Sequence, residues 1–195
     1  MSGKDIIKIT INLVVVYLIG GFILAFVYAN ASPKIFRNNE KAEQEALKLL
    51  IPGAEFKQLG DWTIHDKHAK YFEAKKGDET VGYIIQSFGK GYSSYINTFV
   101  AVDKNFIVQK INILGHGETP GLGDEIETDS FKDQFKGKDV DHLKVLKTDT
   151  TEYIQALSGA TISTRAVSED AVKNGVAFLI TTIKEGGNKD VQQHN

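Results

Sequence analysis

The hydrophobic residues of this chain follow two patterns, and the first is an apolar run near the N-terminus. Between residues 9 and 29 only Thr10 and Asn12 interrupt it. A helix needs roughly 20 such residues to cross the hydrocarbon core of a bilayer. We therefore predict a single transmembrane helix over residues 9–29, preceded by a short cytoplasmic N-terminus at residues 1–8.

A cleavable signal peptide is the alternative explanation of this run. Lys4 and Lys8 would supply its basic start, and Ala29-Asn30-Ala31 its A-x-A-like cleavage site. The run is longer than the roughly 7–15 residues of a signal core, which favours a retained span. Basic residues flank the run on both sides, so their count alone does not orient it.

The second pattern is periodic, and it begins after the apolar run. Ser32-Pro33 is expected to interrupt the helix, because proline lacks the amide hydrogen that a helix interior requires. Apolar residues then recur at helical spacing over residues 35–50, until Pro52-Gly53 ends the pattern. Residues 30–52 are therefore predicted to form a linker and an amphipathic helix.

Further along the chain the pattern predicts antiparallel hairpins. The expected strands are 71–75 and 80–87 around Lys76-Gly77-Asp78, 96–102 and 107–114 around Asp103-Lys104-Asn105, and a short one at 143–146. Helices are expected at residues 129–135 and 163–184, the second ending at Gly186-Gly187. The fold class is therefore predicted to be α+β, with one domain at residues 53–186 in which helices cover a twisted antiparallel sheet. The polar residues 187–195 are expected to be a flexible tail.

Charge and cysteine content exclude several classes of function. Lys and Arg number 23 against 25 Asp and Glu, so the net charge of −2 offers no basic field for nucleic acid. The chain has no cysteine, which excludes cysteine-ligated metal clusters. His65 and His68 are a candidate metal pair, but their spacing suits a turn or the rim of a strand equally well, and we predict no metal site.

The segment Ser158-Gly159-Ala160-Thr161 carries the clearest chemical signal. Small residues let a phosphate approach the backbone closely, and the positive end of a following helix favours negative charge. The same pattern also occurs where a Ser or Thr side chain caps a helix with nothing bound. The residues by themselves leave both interpretations open.

A second glycine-rich segment follows a predicted strand. It runs His116-Gly117-Glu118-Thr119-Pro120-Gly121-Leu122-Gly123, and its proline and glycines fix an irregular loop with exposed backbone groups. Such a loop is usually a simple connection. In a chain that also has a candidate phosphate site, we interpret it as a wall of a binding pocket.

Together, the N-terminal span, Gly91-Tyr92 and the two loops resemble one known family. This is the FMN-binding domain shared by the G subunit of the Rnf electron-transport complex and the C subunit of the sodium-pumping NADH:quinone reductase. The resemblance covers nearly the whole chain, and its length without large insertions is more similar to the Rnf G subunit. In that family the last threonine of the Ser-Gly-Ala-Thr motif carries FMN through a phosphoester, which a flavin transferase installs with FAD as donor.

The resemblance therefore implies a covalent FMN on Thr161, next to Ser158, Gly159 and Ala160. It also implies that residues of the second loop lie near the flavin, namely Glu118, Thr119, Gly121 and Leu122. It assigns no catalytic residue. The family motif has an acidic residue three positions before the Ser/Thr-Gly-Ala-Thr unit, where this chain has Gln155.

The implied function is a membrane-anchored electron carrier within an ion-translocating complex of a bacterial or archaeal cytoplasmic membrane. The resemblance places the domain on the extracytoplasmic side, relaying electrons between the ferredoxin and NAD branches without binding either partner itself. Its implied partners are the other membrane subunits, the membrane lipid and the flavin transferase. The alternatives are the C subunit of the quinone reductase and an anchored scaffold domain without flavin.

Several nearby residues are expected to have other roles. Ser163 and Thr164 are expected to cap the final helix rather than to carry the flavin. Arg165 is expected either to support the phosphate or to be an ordinary solvated helix residue. Tyr92, next to Gly91, and Tyr95 are further candidates for the border of the ring.

Overall fold

A computed structural model of the protein describes residues 3–185. These residues form an N-terminal helix and a folded domain. The chain forms two compact units, one up to Glu43 and one from Gln44 onward. Helix α1, Gly3–Leu50, begins in the first unit and ends in the second. Among the described residues it is the one helix long and apolar enough to cross a membrane, and none of its most apolar stretch is buried.

Helix α1 continues through Pro33, so the predicted interruption at Ser32-Pro33 is wrong. A proline in a helix interior costs about 3 kcal/mol, mainly through one missing hydrogen bond and a clash with the carbonyl four residues earlier. Long runs of helical residues on both sides outweigh this local cost. Nearby side chains also bond to the backbone, since Asn30 Nδ2 donates to the Phe26 carbonyl at 2.8 Å and Arg37 Nε to the Pro33 carbonyl at 3.3 Å.

A five-stranded antiparallel sheet forms the centre of the second unit. Its strands are β1 Glu55–Ile64, β2 Lys67–Lys76, β3 Glu79–Lys90, β4 Tyr95–Val102 and β5 Val108–Gly115. They pair in chain order, each with the next, so the sheet is a simple meander. Both predicted hairpins are present, β2 with β3 and β4 with β5.

Strand β1 is absent from the sequence prediction. It lies at the edge of the sheet, and its side chains are exposed or only half-buried. An edge strand with so little burial lacks the clear apolar alternation on which such a prediction depends. The tight turn to β2 has left-handed backbone at His65 and Asp66, with φ of 50° and 57°.

The two faces of the sheet are covered differently. On one face, Phe72, Ile84 and Phe99 pack with Leu47 and Leu50 from the end of α1. On the other face, sheet residues such as Ile85 and Val100 pack with Val167 and other apolar residues of the C-terminal helix. The predicted α+β architecture of a sheet covered by helices is therefore confirmed.

Short elements connect the sheet to the final helix. They are the 3₁₀ helices Gly123–Glu127 and Asp133–Phe135, helix α2 Asp129–Lys132, and strands β6 Val145–Leu146 and β7 Ile154–Gln155, which pair in parallel. The C-terminal helix then comprises four consecutive segments, Thr161–Arg165, Ala166–Val172, Lys173–Leu179 and Ile180–Glu185, of which the second and fourth have π-helical hydrogen bonding. The expected stop at Gly186-Gly187 and the tail at 187–195 lie outside the described residues.

The C-terminal helix begins at Thr161, two residues earlier than predicted, with Ala160 as its N-cap. Ser163 and Thr164 are therefore not caps, and the interpretation of them as capping residues is wrong. Both lie inside the first turn and are buried. Buried hydroxyls need partners within the protein. The Ser163 hydroxyl donates to Glu118 in the loop after β5, and the Thr164 hydroxyl bonds to Leu157 and Ala160 in the turn before the helix.

Candidate functional site

The candidate site lies where three loops and the start of the C-terminal helix meet. Strands β3 and β5 run in the same direction within the meander, so the loops that follow them leave the sheet at the same end of the strands. The loop after β3 carries Tyr92, and the loop after β5 carries Glu118. A third loop leads from β7 through Ser158 to Thr161.

Glu118 connects these loops. Its carboxylate is buried, with 5% of the residue exposed. One oxygen, Oε1, accepts hydrogen bonds from the amides of Ser93 and Ser94 at 3.0 and 3.1 Å. The other, Oε2, accepts from the Tyr92 amide at 3.1 Å and from the Ser163 hydroxyl. One side chain thus joins the loop after β3, the loop after β5 and the first turn of the helix.

These hydrogen bonds keep the buried carboxyl ionised. Burial alone would raise the pKa of Glu118, but the bonds from the Ser163 hydroxyl and from the amides of Ser93, Tyr92 and Ser94 outweigh it, and the pKa lies below its usual value. The three successive amides form a concave anion-binding turn of the kind that backbone N–H groups make elsewhere for phosphate. Here the anion is part of the protein itself.

A pocket of about 340 Å³ opens beside this carboxylate. Its lining residues are Tyr92, Glu118, Thr119, Leu122, Gly123, Gly159, Ala160, Thr161, Ile162 and Ser163. Three of them, Tyr92, Leu122 and Ile162, are large and largely exposed. Apolar side chains together with a few polar groups are typical of a site for a small organic ligand.

Thr161 is the first helical residue, and it is half-buried in the wall of the pocket. The amides of a first helical turn have no acceptor within the helix, so they are available to an anion, and the helix dipole adds positive potential there. Thr164 stabilises this turn, since its hydroxyl donates to the Ala160 carbonyl at 3.0 Å and accepts from the Leu157 amide at 3.1 Å.

Gly159 fits this turn for two reasons. Its φ of +76° lies in the left-handed region, where side chains other than hydrogen are disfavoured. A Cβ at this position would also lie 2.7 Å from Leu122 Cδ1. The two glycine-rich loops are therefore in contact, and the contact depends on a residue without a side chain.

Six of the eight predicted site residues line this pocket. They are Glu118, Thr119, Leu122, Gly159, Ala160 and Thr161. Ser158 and Gly121 are not among the lining residues, although both lie in the loops that form it. The sequence prediction did not include Ile162 and Ser163. It expected the helix to begin at residue 163, so that Ile162 belonged to the preceding loop and Ser163 was a capping residue.

Of the further candidates, Tyr92 lines the pocket, whereas Tyr95, Arg165 and the His65/His68 pair do not. Arg165 is exposed and points toward Glu169, with Nε 3.9 Å from Oε2, so it is not a lining residue. His65 Nε2 lies 2.7 Å from Asp170 Oδ1. Among the described residues no group of three or more His, Asp or Glu side chains forms a candidate metal site. The Gln155 side chain donates to Asp149 Oδ1 at 2.8 Å.

Comparisons with known proteins agree with this geometry. The FMN-binding domain family matches residues 91–177, a range that contains the loop after β3, both glycine-rich loops and much of the C-terminal helix. The chain is 35% identical over 183 residues to the G subunit of the proton-translocating ferredoxin:NAD(+) oxidoreductase complex of Clostridium ljungdahlii, covering 91% of this chain and 94% of that protein.

Two further relatives are a second G subunit and a C subunit. The G subunit of the ion-translocating oxidoreductase complex of Methanosarcina acetivorans is 29% identical over 91% of this chain and 96% of its own length. The C subunit of the Na(+)-translocating NADH-quinone reductase of Vibrio alginolyticus is 37% identical over 73% of this chain but only 58% of its own length. The chain therefore belongs to the FMN-binding domain family that includes the G subunits of ion-translocating oxidoreductase complexes.

Proposed function

We propose that this protein is the G subunit of an ion-translocating, Rnf-type oxidoreductase complex, anchored in the membrane by helix α1, and that FMN is bound through a phosphoester to Thr161. The observation that carries the proposal is that Thr161 lies in the wall of a pocket formed by both glycine-rich loops. The near full-length match to two G subunits supports the same assignment.

The residues of the pocket fit FMN. A phosphodiester carries about one negative charge, less than the roughly −1.5 to −2 of a phosphomonoester, and the free amides of the first helical turn suit an anion of this size without an arginine cluster. The apolar rim of Tyr92, Leu122 and Ile162 offers faces on which a planar ring can pack. When bound, the flavin supplies one- and two-electron redox chemistry.

Attachment requires a nucleophile that is accessible and activated. Thr161 is half-buried at the pocket wall. A threonine hydroxyl is weakly nucleophilic, and no side chain among its pocket neighbours is placed as its general base, since the Glu118 carboxylate already accepts five hydrogen bonds. We infer that a flavin transferase activates the hydroxyl. Thr161 Oγ1 then bonds to the FMN phosphorus of FAD, and AMP leaves as the pyrophosphate bond breaks.

Helix α1 supports a role at the membrane. The apolar side chains of its residues 9–28 are exposed, as they would be when surrounded by lipid. We propose that the domain lies on the extracytoplasmic side and that the other membrane subunits of the complex and the flavin transferase are its partners. Within the complex, the flavin would pass electrons along the route between the ferredoxin and NAD branches.

The C subunit of a sodium-pumping quinone reductase is the nearer alternative. The match to the Vibrio alginolyticus protein covers 58% of that relative, against 94% for the Clostridium ljungdahlii protein, and this difference in length favours the Rnf-type assignment. Isolation of the native complex distinguishes the two, because the co-purifying proteins differ.

The decisive test is in-gel flavin fluorescence of the full chain coexpressed with a flavin transferase. We expect a fluorescent band that persists in denaturant, because a phosphoester survives unfolding, and no fluorescence from Thr161→Ala. Ser163→Ala is the matched control, since it removes a hydroxyl two residues away that is already bonded to Glu118.

A dark wild-type band, with the transferase shown to be active on another substrate, would overturn covalent attachment. Fluorescence retained in Thr161→Ala would instead move the linkage to another residue. If the protein neither fluoresces nor retains flavin under native conditions, the anchored scaffold without flavin becomes the better description.

A further inference from the structure

A charged group in the wall of a redox pocket affects the energy of electron transfer, and this pocket has one. Of its lining residues, only Glu118 carries a formal charge at neutral pH. Its hydrogen-bond donors are all uncharged, three backbone amides and serine hydroxyls. The negative charge is therefore held in place by dipoles, and no cation among these partners neutralises it.

The carboxylate is rigidly held. The backbone at positions 91 and 123 approaches the Glu118 side chain so closely that only glycine fits there. A Cβ on Gly91 would lie 2.5 Å from Glu118 Oε1, and one on Gly123 would lie 2.8 Å from Glu118 Cβ. With only 5% of the residue exposed, water cannot surround the charge and screen it. An electrostatic effect on a neighbouring group is larger in such surroundings than at a solvated surface.

We propose that Glu118 lowers the reduction potential of the flavin bound in this pocket, through the charge of its buried carboxylate. The inference rests on the proposed function. Two-electron reduction places negative charge on a flavin ring near neutral pH, and a fixed negative charge nearby disfavours that product.

Glu118 also holds the loops together, so a structural role has to be separated from the electrostatic one. Glu118→Gln removes the charge and retains the size, but it leaves one of the amides of residues 92–94 without an acceptor. Ser163→Ala removes one hydrogen bond to the same carboxylate and retains the charge. Loosening of the pocket would shift the flavin potential of both variants in the same direction, whereas loss of charge occurs only in Glu118→Gln.

The experiment is a spectroelectrochemical titration of the flavin-loaded full chain, wild type beside both variants, at one pH. We expect the potential of Glu118→Gln to rise, with the reduced-to-oxidised ratio at a given potential increasing at least tenfold, which corresponds to about 30 mV for a two-electron couple. Ser163→Ala is expected to remain at or below the wild-type potential, because its carboxylate has one donor fewer.

Three results overturn the inference. They are an unchanged or lower flavin potential in Glu118→Gln, a higher potential in both variants, and a higher potential in Ser163→Ala alone. If Glu118→Gln takes up no flavin, Ser163→Ala decides: a potential below wild type supports the proposal, because the carboxylate has lost a donor that offsets its charge, and a potential at or above wild type contradicts it. A wild-type protein without flavin contradicts the proposed function itself and is recognised beforehand by the absence of fluorescence.

Discussion

Single residues of this site are constrained by their neighbours in ways that the sequence shows only in part. The Ser-Gly-Ala-Thr segment and the loop of Glu118 stand out as motifs, and the structure brings both to one pocket. The link between them is a buried carboxylate bonded to amides of a third loop. No local pattern around residues 92–94 predicts that bond, because it joins residues 24 to 26 positions apart.

At the residue scale, Gly159→Ala should prevent flavin loading while costing little stability. The left-handed conformation costs a substituted residue about 1–2 kcal/mol, and the new Cβ would push Leu122 from the rim of the pocket. The matched control is Gly121→Ala. Its φ of +72° imposes the same backbone cost, but nothing lies within 4 Å of the added Cβ.

We therefore expect both variants to unfold at similarly reduced denaturant concentrations, and only Gly159→Ala to lose most of its in-gel fluorescence. Equal loss of fluorescence in the two variants would show that backbone strain, not displacement of Leu122, controls loading. Adding Leu122→Ala to Gly159→Ala should restore part of the loading, because it removes the side chain that the new Cβ meets.

The strands of the sheet that contribute buried residues were predictable. Strands β2 to β5 each have at least two buried positions, and the sequence predicts all four. Strand β1, exposed at the sheet edge, and the two-residue β7 carry too little burial to be recognised. The start of the C-terminal helix was misplaced because Ser163 and Thr164 resemble caps, whereas in the fold their hydroxyls bond to Glu118 and to the turn before the helix.

The two buried hydroxyls at positions 164 and 168 of this helix provide a test at the element scale. Thr164→Val leaves the Leu157 amide without its acceptor and should destabilise the domain by about 1–3 kcal/mol. The Ser168 hydroxyl is also buried, but it has no partner among the described residues. Ser168→Ala should therefore be neutral or slightly stabilising.

Equilibrium unfolding in urea measures both variants against wild type. A larger loss of stability for Ser168→Ala than for Thr164→Val would contradict this assignment, and it would indicate that the Ser168 hydroxyl is bonded to an internal water. Flavin loading should fall in Thr164→Val alone, because only that residue supports the turn that presents Thr161.

For the whole molecule, the sequence predicts an anchor and a domain that begins at residue 53. The apolar run and the periodic region differ so strongly that an anchor and a domain are evident. Proline at position 33 suggested a division there, yet the helix continues, and the compact domain unit begins at Gln44. The reason is packing, because Ala46, Leu47 and Leu50 are buried against the sheet and so belong to the domain.

Truncation tests that boundary. A chain starting at Gln44 should leave the membrane fraction, remain folded and accept flavin from the transferase, since it retains the buried end of α1. A chain starting at Pro52 loses Leu47, which is 1% exposed and packs with Phe72 and Phe99. Loss of one such side chain alone costs about 2–5 kcal/mol, and removal of the helix end also uncovers a sheet face, so this shorter chain should unfold or aggregate. Fractionation, urea unfolding and in-gel fluorescence of the two chains would check these outcomes. Equal stability of both would mean that α1 contributes nothing to the core of the domain and that its buried end is part of the anchor alone.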